Sequence, residues 1–384
     1  MREVVIVDAL RTPIGKRGGI FSETRSDDLA AFVLKKLVTR NEFNQKEIDD
    51  VIMGCVTQVG EQAGDIARVA SLVAGLPIEV PGVTIDRQCG SSQQAVHFAS
   101  QAILSGDMDI VIAAGVESMT RVPMFSNLKG SKWNEKLEEK FGVFNQGISA
   151  ERMNDKWNVS REEQDEFAFN SHQRALKAQN EGYFESEIIP VVVKDKDNKM
   201  VTVEKDEGPR ENSSVEKLGS LKPVFKEDGS ITAGNASQIS DGAAGLLLMS
   251  KEKALALGLK PKFRIIGRSV VGSDPSLMLT GPIQATSKVL QKTGLTIDQI
   301  DLFEINEAFA TVPLVWQKEF HVPFEKLNVF GGAIALGHPL GASGARVMVT
   351  LCNALEKTGG RYGLQAICEG HGMANATIIE RLEE

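Results

Sequence analysis

The sequence predicts an α/β protein made of two similar halves, with a long segment inserted into the first half. Short aliphatic runs typical of buried strands alternate with helical stretches along the chain. The strand-like runs are Val4–Val7, Val51–Met53, Ile110–Ala114 and Gly245–Met249. The clearest helical stretches are Asp27–Val38 and Gly90–Leu104.

The duplication is indicated by matching segments in the two halves. Ile48–Met53 resembles Ile297–Leu302 at a separation of 249 positions, and the same separation carries Cys89 onto His338. A repeat this long indicates duplicated domains and not a solenoid. If the halves pack pseudosymmetrically, Cys89 and His338 should approach the shared interface from opposite sides.

Residues 118–241 interrupt this repeat and are richer in charge and turns. They contain one evident helix, from Ser160 to about Asn180, for which Ser160 and Glu163 form a capping box. A long excursion on a rigid scaffold often covers a substrate site. A passive decoration is the alternative.

Composition limits the functional class. The 384 residues should divide into two or three domains, and the net charge of -8 argues against a general nucleic-acid binder. Four cysteines do not resemble a disulfide framework, which favours a reducing compartment. No apolar run approaches the roughly 20 residues needed to cross a bilayer. Because the chain enters an apparent strand at once, we expect no signal peptide and a cytoplasmic protein.

Two thiols and an imidazole carry the candidate chemistry. Cys89, His338 and Cys368 each lie in a glycine-rich sequence that should expose the side chain. Cys89 directly precedes a helical run, and the partial positive charge of a helix N-terminus stabilises a thiolate. This arrangement suggests covalent acyl chemistry with a separate acid/base. Cys55 and Cys352 lie among aliphatic residues and are interpreted as inert buried thiols.

Metal binding is the competing use of cysteine and histidine. The chain contains no CxxC pair, and His338 has no cysteine near it at structural-zinc spacing. Cys368 and His371 are three positions apart, which alone does not make a zinc site. We therefore expect no metal.

Five motifs together resemble the thiolase family, the acetyl-CoA acetyltransferases and 3-ketoacyl-CoA thiolases, over essentially the whole chain. Each motif alone is modest evidence, but their order and spacing are family-like. They are Asp86–Ser92, Asn235-Ala236-Ser237 through Asp241-Gly242-Ala243-Ala244, Asn306–Ala310, Gly331–Gly344 and Cys368-Glu369-Gly370.

The resemblance implies a fold and a division of the chain. The fold is a duplicated five-layer α-β-α-β-α core with an inserted loop domain. The first half is residues 1–117 with 242–266, the loop domain covering the CoA site is 118–241, and the second half is 267–384. The protein should act as a homodimer or homotetramer on CoA and acyl-CoA thioesters in fatty acid metabolism, with CoA as a substrate and no tightly bound cofactor.

The resemblance also implies roles for individual residues. Cys89 would be the acylated nucleophile, His338 its base, and Cys368 the acid/base acting on the acetyl-CoA carbon. Asn306 would hold a water that forms one oxyanion site with His338. The backbone N–H groups of Cys89 and Gly370 would form the second.

CoA binding is expected in the loop domain. Ser237 would lie near the pantetheine and Arg210 near the nucleotide phosphates. Arg210, Lys217 and Lys222 form a candidate basic cluster, and a merely solvated basic patch is the alternative.

The sequence departs from the family pattern at two places. His371 stands where the family usually has glycine, and we expect its side chain to point to solvent. Asn145-Gln146 replaces a His-Met pair of many biosynthetic members, which weakens an assignment to acetoacetyl-CoA alone.

Two other functional classes stay open on the sequence. A decarboxylating ketoacyl synthase would pair its cysteine with two histidines, against which the Asn306 and Cys368 motifs argue. A non-catalytic acyl-CoA or lipid-binding relative should have lost at least one reactive residue, whereas all four are present.

Overall fold

The computed structural model of the chain describes residues 2–142 and 145–382. Its strands, in chain order, are β1 Val4–Arg11, β2 Gly15–Lys16, β3 Asp50–Gly54, β4 Gly82–Ile85, β5 Ile110–Ser118, β6 Val191–Lys194, β7 Met200–Val203, β8 Ser240–Ser250, β9 Phe263–Gly272, β10 Leu302–Ile305, β11 Tyr362–Glu369 and β12 Met373–Arg381. All the strands predicted from aliphatic runs are confirmed.

The helices surround this sheet structure. They are α1 Ser26–Arg40, α2 Ile66–Val73, α3 Ser91–Ser105, α4 Glu135–Phe141, α5 Gln146–Trp157, α6 Arg161–Asn180, α7 Val215–Gly219, α8 Lys251–Ala256, α9 Gly281–Thr293, α10 Thr311–Phe320, α11 Ala333–Leu336 and α12 Leu340–Thr358. The capping box predicted from Ser160 and Glu163 is present at the start of α6.

The strands form one long mixed sheet in the order β10-β11-β12-β9-β1-β8-β5-β3-β4, with β2 paired to β8 and a separate β6–β7 hairpin. Each half repeats the same local arrangement. A parallel pair, β3–β5 or β10–β11, is followed by an antiparallel partner, β8 or β12. The two halves are joined where β1 pairs with β9 through two residue pairs, Val5–Arg264 and Ile6–Phe263. The predicted duplication is confirmed by this topology.

The number of residues that separates equivalent positions in the two halves is not the same along the whole repeat. The Asp49 carboxylate accepts hydrogen bonds from the backbone at the start of β5, and that of Asp301 accepts them from the start of β11. These aspartates are structurally equivalent and lie 252 positions apart. The sequence match between Ile48–Met53 and Ile297–Leu302 uses a separation of 249, so it is three residues out of register. The helices α3 and α12 keep the separation of 249.

The layering follows from the alternation of side chains along the strands. In β5, Ile110, Ile112 and Ala114 pack in the outer core with α1 and α2, whereas Val111 and Ala113 pack in a central core with α3 and α12. Side chains on opposite faces of a strand must face different layers. The second half buries its other face against α9 and α10. The five-layer architecture is therefore confirmed, with α3 and α12 as its middle layer.

The insert is defined here as residues 119–239, because β5 ends at Ser118 and β8 begins at Ser240. The proposed domain boundaries stay a prediction. One strand crosses the proposed boundary at 266, since β9 pairs with β12 from Phe263 onward.

Three further features concern the described residues as a set. Among them, no helix combines the length and apolar character needed to cross a membrane. Within the same residues, no three His, Cys, Asp or Glu side chains are arranged to hold a metal ion. The four cysteines are free and buried.

Candidate active site

Cys89 lies in a sharp turn that leads into the middle layer. Gly90 caps α3, and Gln88 adopts a left-handed conformation with φ of 48°. The side chain of Cys89 packs with Leu340 of α12 and Ile367 of β11. The start of α3 thus meets both α12 and β11 at this cysteine.

Cys89 is buried, with 5% of its surface exposed, so the expectation of an exposed thiol is wrong. Burial is the main cause that raises the pKa of the Cys89 thiol well above its ordinary value, and the charges of Cys368 and Glu369 act in the same direction. The expected stabilisation of a thiolate by the helix N-terminus is therefore outweighed, because a charged sulfur in this dry interior loses its solvation. The resting group is the thiol.

His338 directly precedes Pro339, the N-terminal cap of α12, and is buried. Its Nδ1 lies 2.6 Å from Ser343 Oγ, and that hydroxyl donates to the Pro339 carbonyl at 2.8 Å. Because the serine proton is directed at the carbonyl, Ser343 Oγ accepts from Nδ1–H. This bond places the proton on Nδ1 and leaves the lone pair on Nε2.

The imidazole of His338 is neutral. Burial, and then the nearby charge of Arg346, lower its pKa to about 3. Its Nε2 has no hydrogen-bond partner among the described residues. A buried, unpartnered imidazole nitrogen with a free lone pair is suited to accept a proton from a reacting group.

The N-termini of α3 and α12 pack backbone against backbone. A Cβ atom at Gly344 would collide with the backbone of Gln93, and the Ala345 N–H donates to Ser92 Oγ at 2.8 Å. This contact brings the two segments that carry Cys89 and His338 to the same end of the middle layer. The structure agrees here with the meeting inferred from the repeat.

Cys368 lies at the end of β11, in register with Ala374 of β12. The residue is buried, and burial, with Glu369 as the second cause, raises its pKa to about 12. At neutral pH it is therefore a thiol that can donate a proton. A thiolate at Cys368 would raise the pKa of the Cys89 thiol further, so ionisation of one thiol opposes ionisation of the other.

Asn306 follows β10 and is held by a backbone hydrogen bond from its N–H to the Ala366 carbonyl at 3.0 Å. Its side chain is buried, and neither Oδ1 nor Nδ2 has a hydrogen-bond partner within the described residues. Buried amides normally satisfy both groups. The free donor and acceptor fit the predicted role of holding a water molecule.

Gly370 begins the turn between β11 and β12. A Cβ atom placed on it would lie 2.8 Å from Gln88 Oε1. Gly370 therefore packs beside the residue that precedes Cys89, which brings the two backbone segments of the predicted oxyanion site together.

A cavity of about 800 Å³ is lined by His338 and Gly370, whereas Cys89, Cys368 and Asn306 are not among its described lining residues. Most of its remaining lining comes from the insert, including Ser237 and Arg210. The Ser237 N–H donates to the Ala308 carbonyl at 3.0 Å. The insert therefore covers this cavity, and its role in covering the substrate stays a prediction.

The basic residues of the cavity differ from the predicted cluster. The cationic side chains among its described lining residues are Lys16, Arg17 and Arg210. Lys217 is exposed and donates to the Asn212 carbonyl at 2.7 Å. Sequence reasoning missed Lys16 and Arg17, although the basic, glycine-rich stretch around them was a usable signal.

His371 does not point to solvent, and that expectation is wrong. Its ring is half-buried, lines the cavity and packs edge-on against Trp133 of the insert with ring centroids 5.0 Å apart. The turn conformation directs the side chain inward. Asn145 and Gln146 also line the cavity, and Asn145 Oδ1 caps α5.

Two glutamates at equivalent strand ends support the site, and sequence reasoning assigned a role to neither of them. Glu117, at the end of β5, accepts hydrogen bonds from the N–H groups of Val56, Thr57 and Gly341. Glu369, at the end of β11, packs against Gly90, and neither carboxylate oxygen has a partner among the described residues. Burial raises the pKa of Glu369 well above its ordinary value.

Comparisons with known proteins cover the full chain. Residues 4–252 match the family model described as "Thiolase, N-terminal domain", and residues 259–381 match "Thiolase, C-terminal domain". A steroid 3-ketoacyl-CoA thiolase of Mycobacterium tuberculosis is 48% identical, over 100% of this chain and 95% of that protein. A 3-ketoacyl-CoA thiolase of Vibrio vulnificus is 46% identical, over 99% and 100%. The crystal structure of the Bacillus anthracis acetyl-CoA acetyltransferase matches with a TM-score of 0.93 and 41% identity, over 100% of this chain and 99% of that chain.

Proposed function

This chain belongs to the thiolase family and is a 3-ketoacyl-CoA thiolase, which is also called an acetyl-CoA acyltransferase. On this basis, we propose that Cys89 carries the acyl intermediate of the reaction. In this proposal His338 is the base for Cys89, and Cys368 is the acid/base for the acetyl-CoA carbon. The observation that carries it is the buried, unpartnered Nε2 of a neutral His338 at the same end of the middle layer as Cys89.

The first half-reaction cleaves the 3-ketoacyl-CoA. The Cys89 thiol transfers its proton to His338 Nε2 while the sulfur attacks the C3 carbonyl. The tetrahedral intermediate collapses, and the bond between C2 and C3 breaks. The departing enolate of acetyl-CoA takes the proton of the Cys368 thiol, which leaves an acyl thioester on Cys89.

The second half-reaction returns every proton. The thiol of CoA gives its proton to the Cys368 thiolate and attacks the acyl thioester. The Cys89 sulfur leaves as acyl-CoA forms, and it recovers the proton held by His338. Run backwards, the same steps perform Claisen condensation.

Proton transfer from Cys89 is coupled to attack. The raised pKa of the Cys89 thiol and the lowered pKa of His338 both oppose an ion pair between these two residues. Charge separation becomes favourable only when the negative charge reaches the substrate oxygen and meets hydrogen-bond donors there. The enzyme thus avoids a permanently reactive thiolate.

Two donor sets serve the two oxygens that become negative. The N–H groups of Cys89 and Gly370 would stabilise the oxygen of the acyl group. His338 and a water held by Asn306 would stabilise the thioester oxygen of the acetyl-CoA enolate. Removing one such donor typically costs about 3–4 kcal/mol of transition-state stabilisation.

CoA binds along the insert in this proposal. Ser237 would contact the pantetheine, and Arg210 would contact the phosphates with help from Lys16 and Arg17. All four line the cavity. CoA acts as a substrate, with no tightly bound cofactor, and the cytoplasmic location and homo-oligomeric assembly stay predictions from the sequence. No observation favours a decarboxylating synthase or a non-catalytic binder.

Peptide mapping after incubation with acyl-CoA tests the proposal. We expect the acyl group on Cys89 and none on the Cys89→Ala variant, which should still fold. Cys55→Ala is the matched control, because Cys55 is also a buried cysteine and its loss should not affect labelling. An acyl group found on Cys368 or Cys55 would overturn the assignment.

A further inference from the structure

The turn that follows Cys368 holds a histidine in a conformation that favours glycine. Gly370, His371 and Gly372 connect β11 to β12, and His371 has φ of 66°. A left-handed backbone is unfavourable for residues that carry a Cβ atom, and glycine adopts it freely. A histidine that persists in such a position beside an active site is a sign of a functional constraint.

The imidazole contacts the insert. The ring of His371 meets the indole of Trp133 in an edge-to-face arrangement with an interplanar angle of 73°. Such pairs are favourable beyond the area that they bury. The contact joins the turn after Cys368 to a segment 238 positions earlier in the chain.

Trp133 is the residue through which segment 129–140 lines the cavity. From Lys129 to Lys140, every residue except Trp133 is exposed. Trp133 is half-buried and lines the same cavity as His371. The apolar side chains of Met124, Phe125 and Leu128 continue this lining within the insert.

We propose that His371 and Trp133 form a wall of the acyl pocket and limit the size of the acyl group that is transferred. This inference rests on the proposed function, because it assigns the part of the cavity next to Cys368 to the acyl group. The two rings close the space between the catalytic turn and the insert. A glycine at position 371 would remove the imidazole and its edge-on contact with the indole of Trp133.

The test is the dependence of kcat/KM on acyl chain length for 3-ketoacyl-CoA substrates from C4 to C16. In a fitted hydrophobic pocket, one methylene changes discrimination by about 10- to 200-fold. We expect His371→Gly to raise the ratio of long-chain to C4 kcat/KM by at least about tenfold. Trp133→Ala should shift the ratio in the same direction, and the double variant should shift it by less than the product of the two effects.

His321→Gly is the matched control. His321 also has a left-handed backbone, with φ of 53°, but it is exposed at the end of α10 and does not line the cavity. The same substitution there relieves the same kind of backbone strain, so the chain-length profile should stay that of the unmodified enzyme. His371→Asn is a second test variant, because asparagine tolerates the left-handed conformation with a smaller side chain.

The outcomes separate this inference from the proposed function. If His371→Gly still acylates Cys89 and cleaves the C4 substrate but keeps the original chain-length profile, the wall is refuted and the mechanism stands. A uniform loss of kcat/KM at every chain length would also refute the wall, because it would assign His371 a structural role in the turn. Absence of acylation in the unmodified enzyme would refute the mechanism itself.

Discussion

Replacing Ser343 with alanine should weaken the base without touching any residue that reacts. Ser343 Oγ accepts the Nδ1–H of His338 at 2.6 Å and donates to the Pro339 carbonyl at 2.8 Å. In Ser343→Ala the Nδ1–H is left buried without an acceptor. The imidazole can relieve this by moving its proton to Nε2, but that tautomer cannot accept the proton of Cys89.

The magnitude follows from the cost of a buried unsatisfied donor. That cost is about 1–3 kcal/mol. If this cost destabilises the His338 tautomer that has its proton on Nδ1 and a free lone pair on Nε2, the rate of Cys89 acylation should decrease by about 5- to 160-fold. The decrease should appear in the rate of acyl-enzyme formation measured by rapid quench and mass spectrometry.

Ser71→Ala provides the control for packing and helix stability. Ser71 is also fully buried, and its hydroxyl donates to the carbonyl four residues earlier, that of Ala67, at 2.8 Å. Among the described residues, the Ser71 hydroxyl makes no hydrogen bond to a histidine. Ser71→Ala should lose unfolding free energy without slowing acylation, and only Ser343→Ala should acylate slowly. Wild-type acylation in Ser343→Ala, or equal slowing in Ser71→Ala, would refute the reasoning.

Four other substitutions test separate parts of the molecule. Cys368→Ser should still form acyl-enzyme but should not exchange the α-protons of acetyl-CoA in deuterium oxide. His338→Ala should lose both acyl-enzyme formation and this exchange. Near-normal exchange in Cys368→Ser would contradict the division of roles. Arg210→Ala should raise KM for CoA, more at low salt, with little change in kcat, and an unchanged CoA affinity across that range would reject its contact with the phosphates. His97→Gln should reduce the loss of stability on acidification. Burial lowers the pKa of His97 to about 3, so only the unfolded chain takes up a proton as the pH falls from about 6.5. The variant should therefore lose about 1.4 kcal/mol less unfolding free energy per pH unit in urea titrations below pH 6.5, and parallel curves would contradict this.

Much of the fold was predictable because its signals are local. Strand alternation at Ile110–Ala114 and the capping box of Ser160 and Glu163 depend on residues within a few positions of one another. The motifs around Cys89, His338 and Cys368 are also contiguous, so their chemistry was visible in the sequence. The three-residue error of register at Ile48–Met53 was not visible, because the correct register lies in the contacts of Asp49 and Asp301 with other strands.

Other properties of the site depend on residues far apart in the chain. Burial of the Cys89 thiol results from α12 and β11 packing over the start of α3, which no local pattern reports. The inward direction of His371 depends on its backbone conformation and on Trp133, which lies in the insert. Ser343 is different, since it lies only five positions after His338, and its hydroxyl was a local signal that could have been used.

The backbone contact between α3 and α12 restricts how this enzyme can move. Many two-lobed enzymes admit substrate by hinging their lobes apart. Here a Cβ atom at Gly341 would lie 2.6 Å from the Val116 carbonyl, and Gly344 is packed equally tightly on Gln93. Hinging would have to break these contacts and expose the central core. Substrates and products must therefore reach the site through the cavity that the insert lines, and not through a gap between the two halves.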